Sequence, residues 1–289
     1  LKQRILFIIN PNSGHKRGAK IIDMLPEYLD SEKFDYSHVL TTHAGHAIDL
    51  SAQAVIDKMD IVVAVGGDGL VNEAFQSLVN TEVAFTIIPR GSGNGVARSI
   101  GVDMNIRKAL SNLNNGMLSK MDTVTFNGKP YLGVAGIGFD GLIAWEFSKT
   151  IKRGMFTYVK IILKHLAAFQ SNKYRVITDQ GEHEFDAFIM TIANTPQYGN
   201  DAFIAPNAEI NNGQLDLVVV KKHAKWLLPI LAFQVMTGRI HKSKYVEVLR
   251  ASQFSIQTSF DQSHVDGEPI LSEKDNIVSV LPRSLNIFS

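Results

Sequence analysis

The sequence predicts a two-domain α/β protein, with a parallel-sheet α/β domain over residues 1–122 and a mainly antiparallel, β-rich domain over residues 123–289. Three observations predict it. Apolar runs of strand length alternate with helix-spaced apolar residues through the first ~120 residues, as βα units require. Each strand-like run of this half ends in a polar or glycine-rich loop: NPNSG, TTHAGH, GGDG and PRGSGN. Beyond these, strand-like runs are separated by hairpin-type dipeptides, Asn127-Gly128, Gln180-Gly181 and Asn212-Gly213.

Residues 4–9 (RILFII) form the first strand, 18–29 a helix, 36–41 the second strand and 47–58 the second helix. Residues 61–65 (IVVAV) are apolar throughout, as a strand covered on both faces must be. A helix starts at once around Leu70, and 84–88 (AFTII) continues the alternation. In the second half, 123–126, 131–135, 173–179, 184–193, 215–221, 245–259 and 276–281 read as strands, and 154–170 and 224–236 as helices. The last strand or two is expected to return to the first domain.

Composition narrows the function. An apolar share of 45% with 20% charged residues fits folded domains, and a net charge of +1 gives no reason to expect a nucleic-acid partner. The chain has no cysteine, so disulfides, zinc–thiolate sites and thiol catalysis are excluded, which fits a reducing, cytoplasmic setting. Residues 1–10 read as a strand leading into NPNSG rather than as a secretory signal. No apolar run approaches the ~20 residues of a bilayer span, and the longest candidate, 226–233, contains Pro229. The expectation is a soluble protein or, at most, one attached to a membrane surface.

The stretch IVVAVGGDGLVNE (61–73) carries the chemistry. A buried strand, a glycine turn (Gly66, Gly67, Asp68, Gly69) and a helix start with Asn72 and Glu73 make a place to hold phosphate, because helix-start N–H groups are unpaired and glycine admits close approach. A second strand ends in Pro89-Arg90-Gly91-Ser92-Gly93-Asn94, which makes purely structural turns a poor account of both. Asp68 inside the first turn suggests a metal ion or a proton to be managed. The combination points to phosphoryl transfer.

GGDGLVNEA with PRGSGNGVAR resembles the catalytic domain shared by diacylglycerol kinases, sphingosine and ceramide kinases and bacterial lipid kinases. NPNSG, TTHAGHA, GIGFDG (136–141) and DGE (266–268) are similar to further motifs of that family, in the same order. The resemblance implies an ATP-dependent lipid kinase, its active site in a cleft between an ATP-binding domain and a lipid-binding domain, most simply forming phosphatidic acid from diacylglycerol. It implies that Asn10, Asn12, Ser13, Gly14, Gly66, Gly67, Asp68, Gly69, Asn72, Glu73, Gly91, Ser92, Gly93, Asn94 and Glu268 surround the nucleotide, with Thr41 or Thr42 near the nucleoside. Asp266 would take the proton from the lipid hydroxyl, and Asp68 would help organise Mg²⁺. Asp140 and Asn194 would border the lipid head group, although a helix-capping Asp is an equal reading of Asp140.

EINNGQLD (209–216) resembles a structural Mg²⁺ loop of bacterial diacylglycerol kinases, implying Glu209, Asn212 and Gln214 as ligands. Asn212 replaces an acid there, and a hard cation binds more weakly with one carboxylate fewer. Implied partners are ATP and a lipid at the inner membrane surface, with a homodimer left open. Leu70, and GSGNG without a following acid, lean towards the sphingosine side. GGDG with Asn72-Glu73 also resembles NAD kinase, but PRGSGN and DGE favour the lipid kinase. A nucleotide-binding regulator without catalysis is opposed by the presence of both Asp68 and Asp266.

Other patterns fall away. Gly136, Gly138 and Gly141 spell G-x-G-x-x-G, but residues 154–178 contain no acid to hold a dinucleotide ribose. No G-x-x-x-x-G-K-[ST] occurs, and the histidines do not cluster. Apolar residues at helical spacing in 156–169 and 226–233 are accompanied by Lys152, Arg153, Lys160, Lys164 and Lys173, and by Lys221, Lys222 and Lys225. Core packing accounts for most of them, and an anionic membrane surface suits the rest.

Overall fold

The computed structural model of the protein describes residues 2–16, 18–150, 154–166 and 168–289, so Lys152 and Arg153 lie outside the described residues. The chain divides into two compact units, Leu1–Thr123 with Pro282–Ser289, and Val124–Leu281. Its strands are β1 (Gln3–Ile9), β2 (Phe34–Leu40), β3 (Ile61–Gly66), β4 (Ala84–Pro89), β5 (Leu118–Phe126), β6 (Lys129–Tyr131), β7 (Val134–Gly138) and β8 (Asn172–Thr178). They continue with β9 (Gly181–Ala193), β10 (Leu215–Lys221), β11 (Val246–Ala251), β12 (Gln253–Thr258), β13 (Gln262–Val265), β14 (Glu268–Leu271) and β15 (Asp275–Phe288).

In the first unit the strands run parallel in the order β2-β1-β3-β4, and the end of β15 joins beside β4 through Asn286 and Ile287. β3 and β4 are buried along their whole length, which is why they read as unbroken apolar runs. Ile5, Phe7, Ile9, Val63, Val65 and Ile88 pack with Ile21, Leu25 and Leu110 on one face. The chain steps from β1 out to β2 and then returns past β1 to β3. Strand order therefore reverses between β1 and β3, and in open parallel sheets ligands bind outside the carboxyl ends at such a point.

The second unit is an antiparallel sheet spined by β9. Residues 181–187 of β9 pair with β8, while its later residues pair with β7 on one side and β10 on the other. β12 joins β8 to β15, β13 joins β7 to β14, and β11 lies beside β10. Tyr131, Ile137, Val176, Met190, Leu217 and Phe254 are central to its core.

Two expected helices are broken, both by proline. Residues 18–29 form a 3-10 helix, Gly18–Met24, and then a short α-helix, Leu25–Tyr28, with Pro26 in its first turn. Residues 224–236 form a 3-10 turn, Lys225–Leu227, and an α-helix, Leu228–Met236, with Pro229 likewise in the first turn. Proline has no N–H to donate and is tolerated only where a helix begins. The strand expected over 245–259 is interrupted at Ser252, and that over 131–135 at Leu132-Gly133.

Candidate active site

The loops after β1, β2, β3 and β4 leave the same sheet edge in step. Asn10 N–H donates to Val65 O (3.1 Å), Thr41 N–H to Ile9 O (2.9 Å) and Arg90 N–H to Gly66 O (2.8 Å), so the strand ladder continues into each loop. The GGDG and RGSGN turns then meet backbone to backbone. A β-carbon on Gly91 would lie 2.7 Å from Gly67 Cα and 2.7 Å from Asn94 Oδ1, and one on Gly67 3.1 Å from Gly91 Cα. No larger residue fits either position without moving a loop.

Asp68 ties the two turns together. Its Oδ2 accepts the Asn94 N–H (3.0 Å) and its Oδ1 the Gly95 N–H (3.1 Å). Burial raises its pKa, and these N–H groups work in the opposite direction. Asn94 adds a ring of its own, accepting from Gly91 N–H and donating to Gly91 O, both at 3.0 Å.

Around this centre, Asn10 Oδ1 accepts the Asn12 N–H (2.9 Å) and Ser13 Oγ donates to Asn10 O (2.8 Å). Gly14, at φ +57°, lies against the Arg90 guanidinium, which a β-carbon would approach to 2.8 Å. Burial lowers the Arg90 pKa. Thr42 Oγ1 contacts the Nδ1 atoms of His43 (2.8 Å) and His46 (3.2 Å), whose rings stack at 4.9 Å. Glu73 accepts the Ala47 N–H (3.4 Å), and Asn72 is buried in the helix Asp68–Gln76. The structure thus brings together the NPNSG, GGDG and RGSGN residues, and adds Arg90, which sequence patterning did not single out.

In the second unit DGE forms a tight hairpin. Asp266 and Gly267, at φ +47° and +80°, make the two-residue turn between β13 and β14, as Asp-Gly does in a type I′ turn. The Asp266 carboxylate folds back onto the chain. Its Oδ2 accepts the Leu132 N–H (2.9 Å), and its Oδ1 accepts those of Gly133 (2.9 Å) and Val134 (3.0 Å). Three consecutive amides aimed at one carboxylate cannot also continue a strand ladder, hence the break between β6 and β7. Glu268 is exposed beside this turn.

Asp140 and Asn194, expected at the lipid head group, are buried within the unit. Asn194 Nδ2 donates to Leu132 O (2.7 Å) and so holds the segment that Asp266 grips. Asp140 lies in the first turn of the helix Phe139–Ser148 without capping it. Its Oδ1 lies 3.1 Å from His264 Nε2, and its Oδ2 accepts from Tyr198 Oη (2.8 Å), with the Thr191 hydroxyl 3.1 Å from Oδ2 and 2.7 Å from Tyr198 Oη. Gly136 leaves room for the pair, since a β-carbon there would stand 2.2 Å from Asp140 Oδ2. No periodicity could reveal partners so far apart in sequence.

His264 links this network to the DGE turn, because Gly267 N–H points at its Nδ1 (3.2 Å). Burial opposes a charge on His264, but Asp140, with a smaller contribution from Asp266, outweighs it and raises the pKa. Burial likewise opposes the charge on Asp140, and His264 with the hydroxyls of Tyr198 and Thr191 holds its pKa low. A raised histidine pKa stabilises the fold fully below the ordinary value of 6.5, and that contribution is lost as pH rises through the higher folded value. The denaturant midpoint of the wild type should therefore fall across this window, and His264→Gln should flatten that fall. Parallel profiles for the two proteins would refute the linkage.

The expected metal ligands do not assemble. Glu209, Asn212 and Gln214 are exposed, Asn212 Oδ1 is engaged by the Gln214 N–H (2.9 Å), and the nearby Asp216 pairs with Arg250 (2.5 Å). Among the described residues no group of three or more His, Cys, Asp or Glu side chains could hold a metal ion. Glu209 is thus the one carboxylate among the three expected ligands, a weak set for a hard cation. No described helix is long and apolar enough to cross a membrane.

Comparison with known proteins agrees with this fold. The model of the diacylglycerol kinase catalytic domain matches residues 4–126, and that of the YegS C-terminal NAD kinase beta sandwich-like domain matches residues 133–289. A diacylglycerol kinase of Mycobacterium tuberculosis is 27% identical over 98% of this chain and 94% of its own, and one of Bacillus subtilis 24% identical over 92% and 90%. The crystal structure of a diacylglycerol kinase from Bacillus anthracis shares the fold, with a TM-score of 0.76 at 20% identity over 99% of this chain and 96% of that one. With both halves matched, the chain belongs to the family of lipid kinases that joins a diacylglycerol kinase catalytic domain to a YegS-type C-terminal domain.

Proposed function

We propose that the protein transfers the γ-phosphate of ATP to the hydroxyl of diacylglycerol, giving phosphatidic acid, at the cytoplasmic surface of a membrane. The observation that carries this reading is the meeting of two glycine turns, GGDG and RGSGN, at the carboxyl edge of a parallel sheet with Arg90 beside them. Phosphoryl transfer needs backbone donors and positive charge around oxygens that gain charge in the transition state, with no bulk in the way. Residues 10–14, 66–69 and 91–94, with Asn72 and Glu73, hold the polyphosphate, and Thr41 and Thr42 lie towards the nucleoside. Mg²⁺ arrives as part of the nucleotide complex. Asp266 removes the proton from the acceptor hydroxyl as its oxygen attacks the γ-phosphorus and ADP leaves, and Glu268 stands beside it.

Diacylglycerol is chosen because it is named for the relatives in Mycobacterium tuberculosis and Bacillus subtilis. A long-chain base is the second reading, towards which Leu70 and GSGNG without a following acid lean slightly. The test offers labelled ATP with diacylglycerol, sphingosine and NAD side by side. Label in phosphatidic acid is the expected result. Label on NAD alone, or nucleotide binding with no lipid phosphorylated, would overturn the proposal.

A further inference from the structure

We propose that the helices Met155–Leu166 and Leu228–Met236, with the turn Lys225–Leu227, form a docking face for an anionic lipid bilayer. This rests on the lipid-kinase reading only for its purpose, since docking needs no ATP. A helix lying on a core needs one apolar stripe. Each of these has two.

In Met155–Leu166 the inner stripe, Ile161 with Tyr158, Ile162 and Leu166, packs against Phe139, Phe169 and Phe188. The outer stripe is Phe156, Val159 and Leu163, at i, i+3 and i+7, which are 86%, 43% and 65% exposed. In the second helix Leu231 is buried with Val220 and Ile240. Trp226, Ile230 and Phe233, at i, i+4 and i+7, are 73%, 50% and 65% exposed. Ile189 and Leu228 pack in the clusters of both helices, which makes the helices neighbours.

Charge identifies what covers this face. Residues 147–178 and 217–246, which contain both helices, hold 13 of the 29 Lys and Arg and none of the 28 Asp and Glu. The rest of the chain therefore has 16 basic residues (29 less 13) against 28 acidic ones. Lys160, Lys164 and Lys225 sit among the exposed apolar side chains. Apolar residues beside concentrated positive charge suit an interface of acyl chains and anionic head groups. Lys149, Arg175, Lys221 and Lys222 pair with Glu146, Glu182, Glu247 and Asp186 just outside these segments, and a second copy of the chain would cover the apolar stripes but set Lys160, Lys164 and Lys225 against their own counterparts.

Trp226 reports contact directly. The chain has two tryptophans, and the other, Trp145, is half-buried with its indole N–H donating to Ser263 O (3.0 Å) and Ile270 O (3.1 Å). In a Trp145→Phe protein, emission should shift to the blue on adding vesicles of phosphatidylcholine mixed with phosphatidylglycerol, and not with phosphatidylcholine alone. Wild-type protein should sediment with the same anionic vesicles, which keeps the test independent of that variant's folding. Phe156→Ser with Phe233→Ser should lower the partition by at least about tenfold. The double variant should still phosphorylate a short-chain diacylglycerol in detergent micelles.

An unmoved emission and no sedimentation with anionic vesicles would overturn the proposal. So would equal partition of wild type and double variant, or a blue shift that follows protein concentration without lipid. If vesicles bind but the wild type phosphorylates no micellar lipid, docking is supported and the kinase reading fails.

Discussion

Asp266→Asn is expected to lower turnover with diacylglycerol by about 10²–10⁴-fold, the range for loss of a positioned general base. ATP affinity should change little, because the residues proposed to hold the nucleotide belong to the other unit. The substitution also has a structural effect that must be separated from the chemical one. The substituted side chain could keep the Gly133 and Val134 N–H groups on its single carbonyl oxygen. Its amide nitrogen would then face the Leu132 N–H, donor against donor, at a cost of about 1–3 kcal/mol. Thermal unfolding measures that cost, and turnover per folded molecule measures the catalytic one. In the wild type Oδ1 receives two of the three amides and Oδ2 one, which makes Oδ2 the better proton acceptor. A variant that is less stable yet turns over normally would leave Asp266 as a clamp on residues 132–134 and remove it from the chemistry.

The first unit was largely legible because its strands are covered on both faces, so composition alone marks them, and because each loop begins where a strand's apolar run stops. The second unit was less so, for three physical reasons. β13 and β14 lie in QSHVDGEPIL, where polar residues serve the turn and the buried His264, so the alternation of a half-buried strand is faint. The break at Leu132-Gly133 is imposed by a carboxylate 133 residues away from Gly133, a tertiary demand that no local window contains. The Asp140, Thr191, Tyr198 and His264 network likewise unites four stretches of chain. GIGFDG was visible as a motif. Its glycine at 136 reflects room for a buried ion pair, which spacing alone could not distinguish from a ligand turn.

Asp68 shows the same gap between finding a residue and reading its task, and Asp68→Ala carries the second large expected effect. The sequence places this acid by the phosphates with a metal to manage. In the structure both of its oxygens are engaged by amides of the neighbouring turn. Removing the carboxylate leaves the Asn94 and Gly95 N–H groups without those acceptors, at about 1–3 kcal/mol each. It also unpins the RGSGN turn from GGDG. Part of that energy should appear as lost stability and part as nucleotide affinity weakened on the order of 10- to 100-fold. Asp68→Asn keeps one acceptor and should fall between Ala and wild type. Titration with Mg²⁺ separates the two tasks. If Asp68 acts as a clamp, raising Mg²⁺ leaves the affinity of Asp68→Ala for ATP where it was, because no ligand exchange can rejoin the turns. Recovery at high Mg²⁺ would make it a metal ligand. Wild-type ATP affinity in Asp68→Ala would mean that the nucleotide is held elsewhere than between these turns.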